Sequence, residues 1–188
     1  MTSPSRSELV AETAITLIVE RGLRGLTHRA VDEAAGLPAG STSNLARTRA
    51  ALLELVMARL TELELRLFAA ADLPEGGDRE TVVEVVAGLL HVQLTEDRRR
   101  TLARYELALE ANRRPELRAV YDASGAAFRR AAVMLVAGAG SPDPVRHGRM
   151  LVAFAEGVMF DALAGAGDDP APEELRLAVT EFLRGMLG

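Results

Sequence analysis

Apolar residues recur at three- and four-residue spacing along most of the chain, and this pattern restricts the fold to packed helices. Leu9, Val10, Ala14, Leu17 and Ile18 repeat this way near the start, and Leu52, Leu53, Val56, Leu60, Leu63 and Leu67 do so further on. No run alternates apolar and polar residues in a β-branched, aromatic-rich stretch. Aromatic residues make up only 4% of the chain, and the dominant Ala, Leu, Glu and Arg are helix formers. The fold class is therefore all-α. At 188 residues the chain is long enough to bury a core without disulfides or a structural metal. It contains no Cys, which excludes disulfides and thiolate metal sites. No unbroken apolar run approaches the roughly 18–20 residues of a membrane helix, and the first thirty residues lack the pattern of a secretion signal. A cytoplasmic location without a membrane partner is expected.

The stop signals predict about nine helices. The first runs near Ser7–Arg21 and ends at Gly22. Thr27 is a good N-cap for a second helix over His28–Ala35, which turns at Gly36. A short third helix follows Leu37, with Pro38 in its first turn, and ends near Leu45. A long fourth helix begins around Thr48 or Arg49 and stops before the loop Leu73-Pro74-Glu75-Gly76-Gly77. Five more are expected over about Arg79–Leu94, Arg98–Asn112, Glu116–Ala137, Val145–Ala164 and Glu173–Leu187.

Two short helices joined by the tight turn Ala35-Gly36-Leu37 form a helix-turn-helix signature, whose second helix enters the DNA major groove. Ala30, Val31 and Ala34 are expected to pack inward, with Leu37 plugging the space between the helices. The second helix is then expected to expose Ser41, Thr42, Ser43 and Asn44, with Ala39 just before them. Asn pairs with adenine through two hydrogen bonds, and Ser or Thr contacts bases or phosphates. All 22 basic residues are Arg, and the net charge of −5 disfavours nucleic acid on average. The charge is unevenly distributed, being +1 over residues 1–50 and −6 over 51–188, and an average says little about one face.

Over Leu9 to Leu53 the sequence resembles the TetR family of transcriptional repressors. The matching residues are Ala11-x-x-Ala14, Glu20-Arg21-Gly22, Thr27, Arg29, Val31, Ala35-Gly36-Leu37, Gly40-Ser41, Ser43-Asn44 and Ala51-Leu52-Leu53. Tyr105-Glu106-Leu107 followed by Arg113-Arg114-Pro115-Glu116-Leu117 resembles an actinobacterial-like subgroup. The resemblance implies a helix-turn-helix domain over 1–48 and a ligand-binding and dimerisation domain over 49–188. It implies a ligand-responsive, non-enzymatic regulator that binds a palindromic double-stranded operator as a homodimer and is released by a small-molecule effector. Thr27 would hold a phosphate, beside His28 and Arg29. Ser43 and Asn44 occupy the places of an aromatic residue and a His that contact DNA. Arg49 replaces a phosphate-binding Lys, with Arg47 and Thr48 beside it. Leu45-Ala46 departs from the usual Tyr-Phe, so ring contacts that brace the reading helix are lost or replaced. That departure and the few basic residues leave room for an alternative, a helix-turn-helix used for protein contacts.

Phe68, Leu90, Tyr105, Tyr121, Phe128, Met134, Phe154 and Phe160 are candidate pocket residues, together with the acids Glu106 and Glu156. A lone buried carboxylate is costly, so Glu156 is expected to pair with an Arg or to select a cationic or donor ligand, and Arg113 is expected to neutralise Glu106. The eighth helix is apolar nearly all round and should be covered on every side. Leu151, Ala155, Val158 and Ala162 on it, with Leu175, Val179, Phe182 and Met186 on the ninth, are the implied dimer interface. The run Arg98-Arg99-Arg100 reads as a solvated helix start rather than a second DNA patch. His28, His91 and His147 are scattered without metal-ligand spacing, so no metal and no cofactor is expected. The Gly138-x-Gly140 and Gly165-x-Gly167 loops lack the third glycine of a dinucleotide site.

Overall fold

A computed structural model describes residues 4–70 and 77–188. Among these residues there are nine α-helices and no strand. They are α1 (Arg6–Gly25), α2 (His28–Ala35), α3 (Ser41–Leu45), α4 (Arg49–Ala70), α5 (Arg79–Leu94), α6 (Arg98–Ala111), α7 (Pro115–Gly138), α8 (Pro144–Ala164) and α9 (Pro172–Leu187). Leu73–Gly76 of the expected loop lie outside the described residues. No described helix is long and apolar enough to cross a membrane.

Helix starts follow local chemistry. Ser5 and Glu8 form a reciprocal capping box on α1, with the Ser5 amide donating to Glu8 at 2.7 Å. Asp78 and Asp143 accept amide bonds at the starts of α5 and α8. Gly22 stops the regular part of α1, since its φ of 65° and ψ of 174° are non-helical. The third helix begins later than expected. Gly40 at φ 88° breaks the path, so Pro38 lies in the preceding turn and Ser41 is the first helical residue.

The helices divide into two compact units. The first comprises residues up to Glu64 together with Arg99–Ala123, and the second Leu65–Arg98 together with Ser124–Gly188. Packing therefore does not divide the chain at residue 48. In the first unit α1 contributes Val10, Ala14, Ile15, Leu17 and Ile18 to a core completed by Val31, Ala46, Leu52, Leu53, Val56, Leu60, Ala103 and Leu107. The core beneath α2 and α3 thus includes residues of α4 and α6. In the second unit α5 packs on α9 and α8, burying Val82, Val86, Leu90, Leu151, Leu175, Val179 and Leu183.

Helix α8 reaches α7 closely at Gly148, where an added Cβ would lie 2.9 Å from the Val133 backbone. Gly148→Ala should therefore cost about 1–3 kcal/mol. Gly88→Ala in α5 meets nothing within 4 Å and should add up to about 1 kcal/mol through helix propensity. Denaturant unfolding of the two variants checks the opposite signs.

Candidate nucleic-acid interface

The interface is built on α2, the turn after it, α3 and the entry to α4. The Thr27 hydroxyl accepts from the Ala30 amide at 3.1 Å and starts α2. Gly36 ends it in the left-handed region, at φ 65° and ψ 30°, a conformation Gly adopts without a Cβ penalty. The Leu37 amide then donates to the Asp32 carbonyl at 2.9 Å.

What holds α3 in place is Asp32, a residue the sequence reading did not single out. Its carboxylate is 4% exposed. One oxygen accepts from the Gly40 amide at 2.8 Å. The other accepts from the Thr42 amide at 2.8 Å and from the Thr42 hydroxyl at 2.6 Å. These bonds satisfy leading amides that α3 itself cannot pair, and they set a negative charge at its positive end. Burial works to raise the Asp32 pKa. The hydrogen bonds from the Thr42 side chain and from the Thr42 and Gly40 amides, with the charge of His28, outweigh burial and leave the carboxyl below its ordinary value. The only sequence signal was an acid beside the packing residue Val31, ten residues before a Thr in the next helix.

The far end of α3 is held by His28, whose Nε2–H donates to the Ala46 carbonyl at 2.6 Å. Ala46 is buried and Leu45 is exposed. Polar bonds from α2 thus brace the helix where the resemblance led one to expect aromatic rings.

Of the expected contact residues, Thr27, Arg29, Ala39, Ser43, Asn44, Arg47 and Thr48 are each exposed. Ser41 and Thr42 are buried. Their expected exposure is wrong because α3 turns its first two residues inward, where Thr42 meets Asp32. Ala34, expected to pack, is exposed; its place on the inner side of α2 is taken by Asp32. Arg29 pairs with Glu33 at 2.7 Å on the surface. Arg49 is half-buried and donates to the carbonyls of Leu23 and Leu26, closing the end of α1. Thr48 accepts from the Ala51 amide at 3.1 Å and caps α4.

The candidate effector residues divide between the units. In the first, Tyr105 lies under the Arg104 guanidinium at 4.8 Å, and Tyr121 packs against the core. Glu106 is exposed. Arg113 pairs instead with Glu110, at 3.3 Å, because the two lie three residues apart on one helical turn. In the second unit Phe68 and Phe128 are tilted against each other at 4.8 Å. Phe154 stacks on Phe182 at 4.4 Å. Leu90 is buried, Glu156 is half-buried and has a partner, and Phe160 is 51% exposed. Met134 is exposed. A groove of about 600 Å³ runs between α5 and α9, floored by Val83 and Leu183 and edged by the Glu84–Arg176 ion pair. None of the expected pocket residues lines it.

Leu151, Leu175 and Val179 were expected at a dimer interface, but the second unit's own helices already cover their side chains. Ala155, Val158, Ala162, Phe182 and Met186 are half-buried. The eighth helix is also not covered on every side, since Met150, Ala153, Gly157 and Phe160 form an exposed stripe. Among the described residues no three His, Asp or Glu side chains are grouped to hold a metal ion.

Asp32→Ala leaves the amides of Gly40 and Thr42 and the Thr42 hydroxyl without their acceptor. It should cost roughly 2–4 kcal/mol and abolish ordered presentation of α3. With Asp32→Asn the pH dependence is diagnostic. A carboxyl below its ordinary value stabilises fully above the ordinary Asp pKa of about 4 and loses this as pH falls through the folded value. The stability gap between wild type and Asp32→Asn should therefore narrow below about pH 4, as read by denaturant unfolding.

Comparison with known proteins agrees with this architecture. The family described as "Tetracyclin repressor-like, C-terminal domain" matches residues 77–188, more than half of the chain. A TetR-family member from Streptomyces coelicolor is 28% identical, with a TM-score of 0.74 over 95% of this chain and 98% of its own. The multidrug-binding protein EbrR, solved with proflavin, is 30% identical, with a TM-score of 0.61 over 95% of this chain and 99% of its own. A transcriptional regulator from Saccharomonospora viridis, solved with choline, shares the fold at 16% identity, with a TM-score of 0.80 over 95% of each chain. No protein of curated function matches the sequence. The helix-turn-helix head, the nine described helices and these relatives lead to one assignment: the chain belongs to the TetR family of DNA-binding, non-enzymatic transcriptional regulators.

Proposed function

We propose that the protein is a ligand-responsive repressor that grips a palindromic operator as a homodimer and lets go when a small molecule binds. The observation that carries the DNA-binding part is the outward face of α3. Asp32 and His28 fix both ends of the helix, leaving Ser43 and Asn44 free to reach base edges. Arg47 and Thr27 flank them for phosphates. In a two-fold dimer the two heads lie about 34–36 Å apart, or a multiple of this, so the operator repeats as an inverted half-site.

A second copy fits the exposed stripe of α8. Met150, Ala153, Gly157 and Phe160 share one helical face, and nothing lies within 4 Å of a Cβ at Gly157. Small residues between two large apolar ones allow close approach of a partner helix. Leu177 on α9 is likewise exposed. The half-buried Ala155, Val158 and Ala162 lie on the side of α8 turned away from this stripe, with the buried Leu151 and Met159.

The effector class we favour is an organic cation with an apolar body. EbrR is described with ethidium and with proflavin, and the Saccharomonospora regulator with choline. In this chain Phe68, Phe128 and Phe154 offer ring faces that attract cations. Tyr105, Tyr121, Leu90, Glu106, Glu156 and Phe160 remain further candidates. Effector action requires different affinities for two states of the dimer, since equal binding shifts nothing.

One observation favours the protein-contact alternative. Arg29 is exposed but paired with Glu33, and Arg49 is bound to carbonyls, so little uncompensated positive charge faces outward. Asn44→Ala separates the two readings. On the tightest duplex selected by the wild type it should lose about 1–3 kcal/mol and relax base preference at one position. Arg47→Ala should weaken all duplexes alike and reduce the salt slope by about 1. Unchanged affinity and preference in both variants would favour the alternative. Gly157→Arg should shift the chain from dimer to monomer in sedimentation, and a persistent dimer would rule out the α8 stripe.

A further inference from the structure

Many arginines of this chain are matched with carboxylates. Even the run Arg98-Arg99-Arg100 is not the solvated helix start that its sequence suggests. Arg98 pairs with Asp169 at 2.8 Å, and Arg99 and Arg100 reach Glu12 at 3.4 and 3.8 Å. Arg184 on α9 is different. It is exposed and makes no hydrogen bond or ion pair among the described residues. It stands at the groove between α5 and α9, together with Arg79, whose guanidinium only donates to the Leu187 carbonyl at a long 3.4 Å. The groove lies wholly within the second unit.

Arg176, Thr180 and Arg184 recur every four residues and line its α9 wall, and Glu80 and Glu84 do the same on α5. The floor is Val83 and Leu183, and Leu177 adds apolar surface that is 59% exposed. Charge decides what fits there. Glu84 is taken up by Arg176, which leaves Arg79 and Arg184 against Glu80 alone among the charged groups of the lining. The groove thus keeps a positive excess in a unit whose acids outnumber its arginines. An unpaired guanidinium offers a planar fork of donors that matches a carboxylate. No aromatic ring lines the groove, so the body that suits it is aliphatic rather than a stacking ring. The α9 wall from Arg176 to Arg184 runs about 12 Å at the helical rise, room for a medium-length tail. The volume of about 600 Å³ is in the range of small-molecule sites.

We propose that this groove is a small-molecule site for an aliphatic carboxylate, separate from the effector residues named above. Arg184 binds the carboxylate through its fork, Arg79 adds a second positive charge, and the tail lies along Val83, Leu183 and Leu177. The site differs from the proposed effector residues in place, since Phe68, Phe128 and Phe154 are not part of its lining, and in preference, since it selects an anion. It depends neither on the DNA-binding reading nor on the organic-cation reading.

The test titrates decanoate, below its micelle concentration, into the full-length protein and reads binding by calorimetry. Wild type should bind decanoate with an affinity that falls as salt rises. Acetate, which has the head without the tail, should bind at least about ten-fold more weakly. Arg184→Gln should weaken decanoate roughly ten-fold, and Arg79→Gln/Arg184→Gln should weaken it further. Arg184→Lys keeps the charge without the fork and should recover part of the loss. Both arginines are exposed, so the thermal midpoints of these variants should stay at the wild-type value. Failure of wild type to bind decanoate would overturn the site. So would binding that Arg79→Gln/Arg184→Gln leaves unchanged, which places the anion elsewhere. Binding that vanishes as rising protein concentration drives the chain to a dimer would show that a second copy covers the groove, and would overturn the proposal too.

Discussion

The carboxylate of Asp32 is the contact on which the reading head depends. A five-residue helix cannot hold itself, because the first turn fixes several backbone angles for very few internal hydrogen bonds. Asp32 supplies what α3 lacks: acceptors for the Gly40 and Thr42 amides, and a negative charge at the positive end of the helix. His28 ties the other end through Ala46. Hydrogen-bonded bracing of this kind is more exacting in geometry than a packed aromatic ring, and it makes a small side chain at position 46 acceptable. The outward face is then free to carry the exposed side chains of Ser43 and Asn44.

The same preference for fixed polar geometry governs the arginines. They are the chain's only strong cations, and the best-placed of them act inside the protein. Arg49 closes the end of α1, Arg59 gathers three carboxylates, and Arg104 pairs with Glu64 at 2.9 Å in a largely buried setting. Arg offers a planar fork of donors that suits such shared, oriented contacts better than Lys. The consequence for function is a head with few free positive charges in a chain of net charge −5. In the proposed dimer, recognition would then lean on shape, on base-edge contacts and on two correctly placed heads, with the salt dependence that a few phosphate contacts per head produce.

Much of this was legible in the sequence. Apolar spacing and stop signals located the helices, and Thr27, Gly36 and Leu37 outlined the turn, because these features depend on local backbone preferences. The polar residues were harder. Ser41 and Thr42 look like their neighbours Ser43 and Asn44, and only the left-handed Gly40 decides which of the four turn inward. Asp32 was invisible because its partners lie eight and ten residues away. The acidic partners of Arg99 and Arg100 lie more than eighty residues away, beyond any periodicity. On α8 and α9 an apolar pattern shows that residues are covered and not by what. Leu151, Leu175 and Val179 are covered by their own chain, while Met150 and Phe160 are left open.

The central claim is that a braced α3, presented twice by a dimer, reads DNA sequence. Selection of bound sites from a random duplex pool, at low and at moderate salt, tests it most directly. The account predicts an enriched inverted repeat whose half-sites lie one helical turn or a multiple apart, with binding that weakens as salt rises. A clean dimer that enriches no sequence at either salt would contradict it.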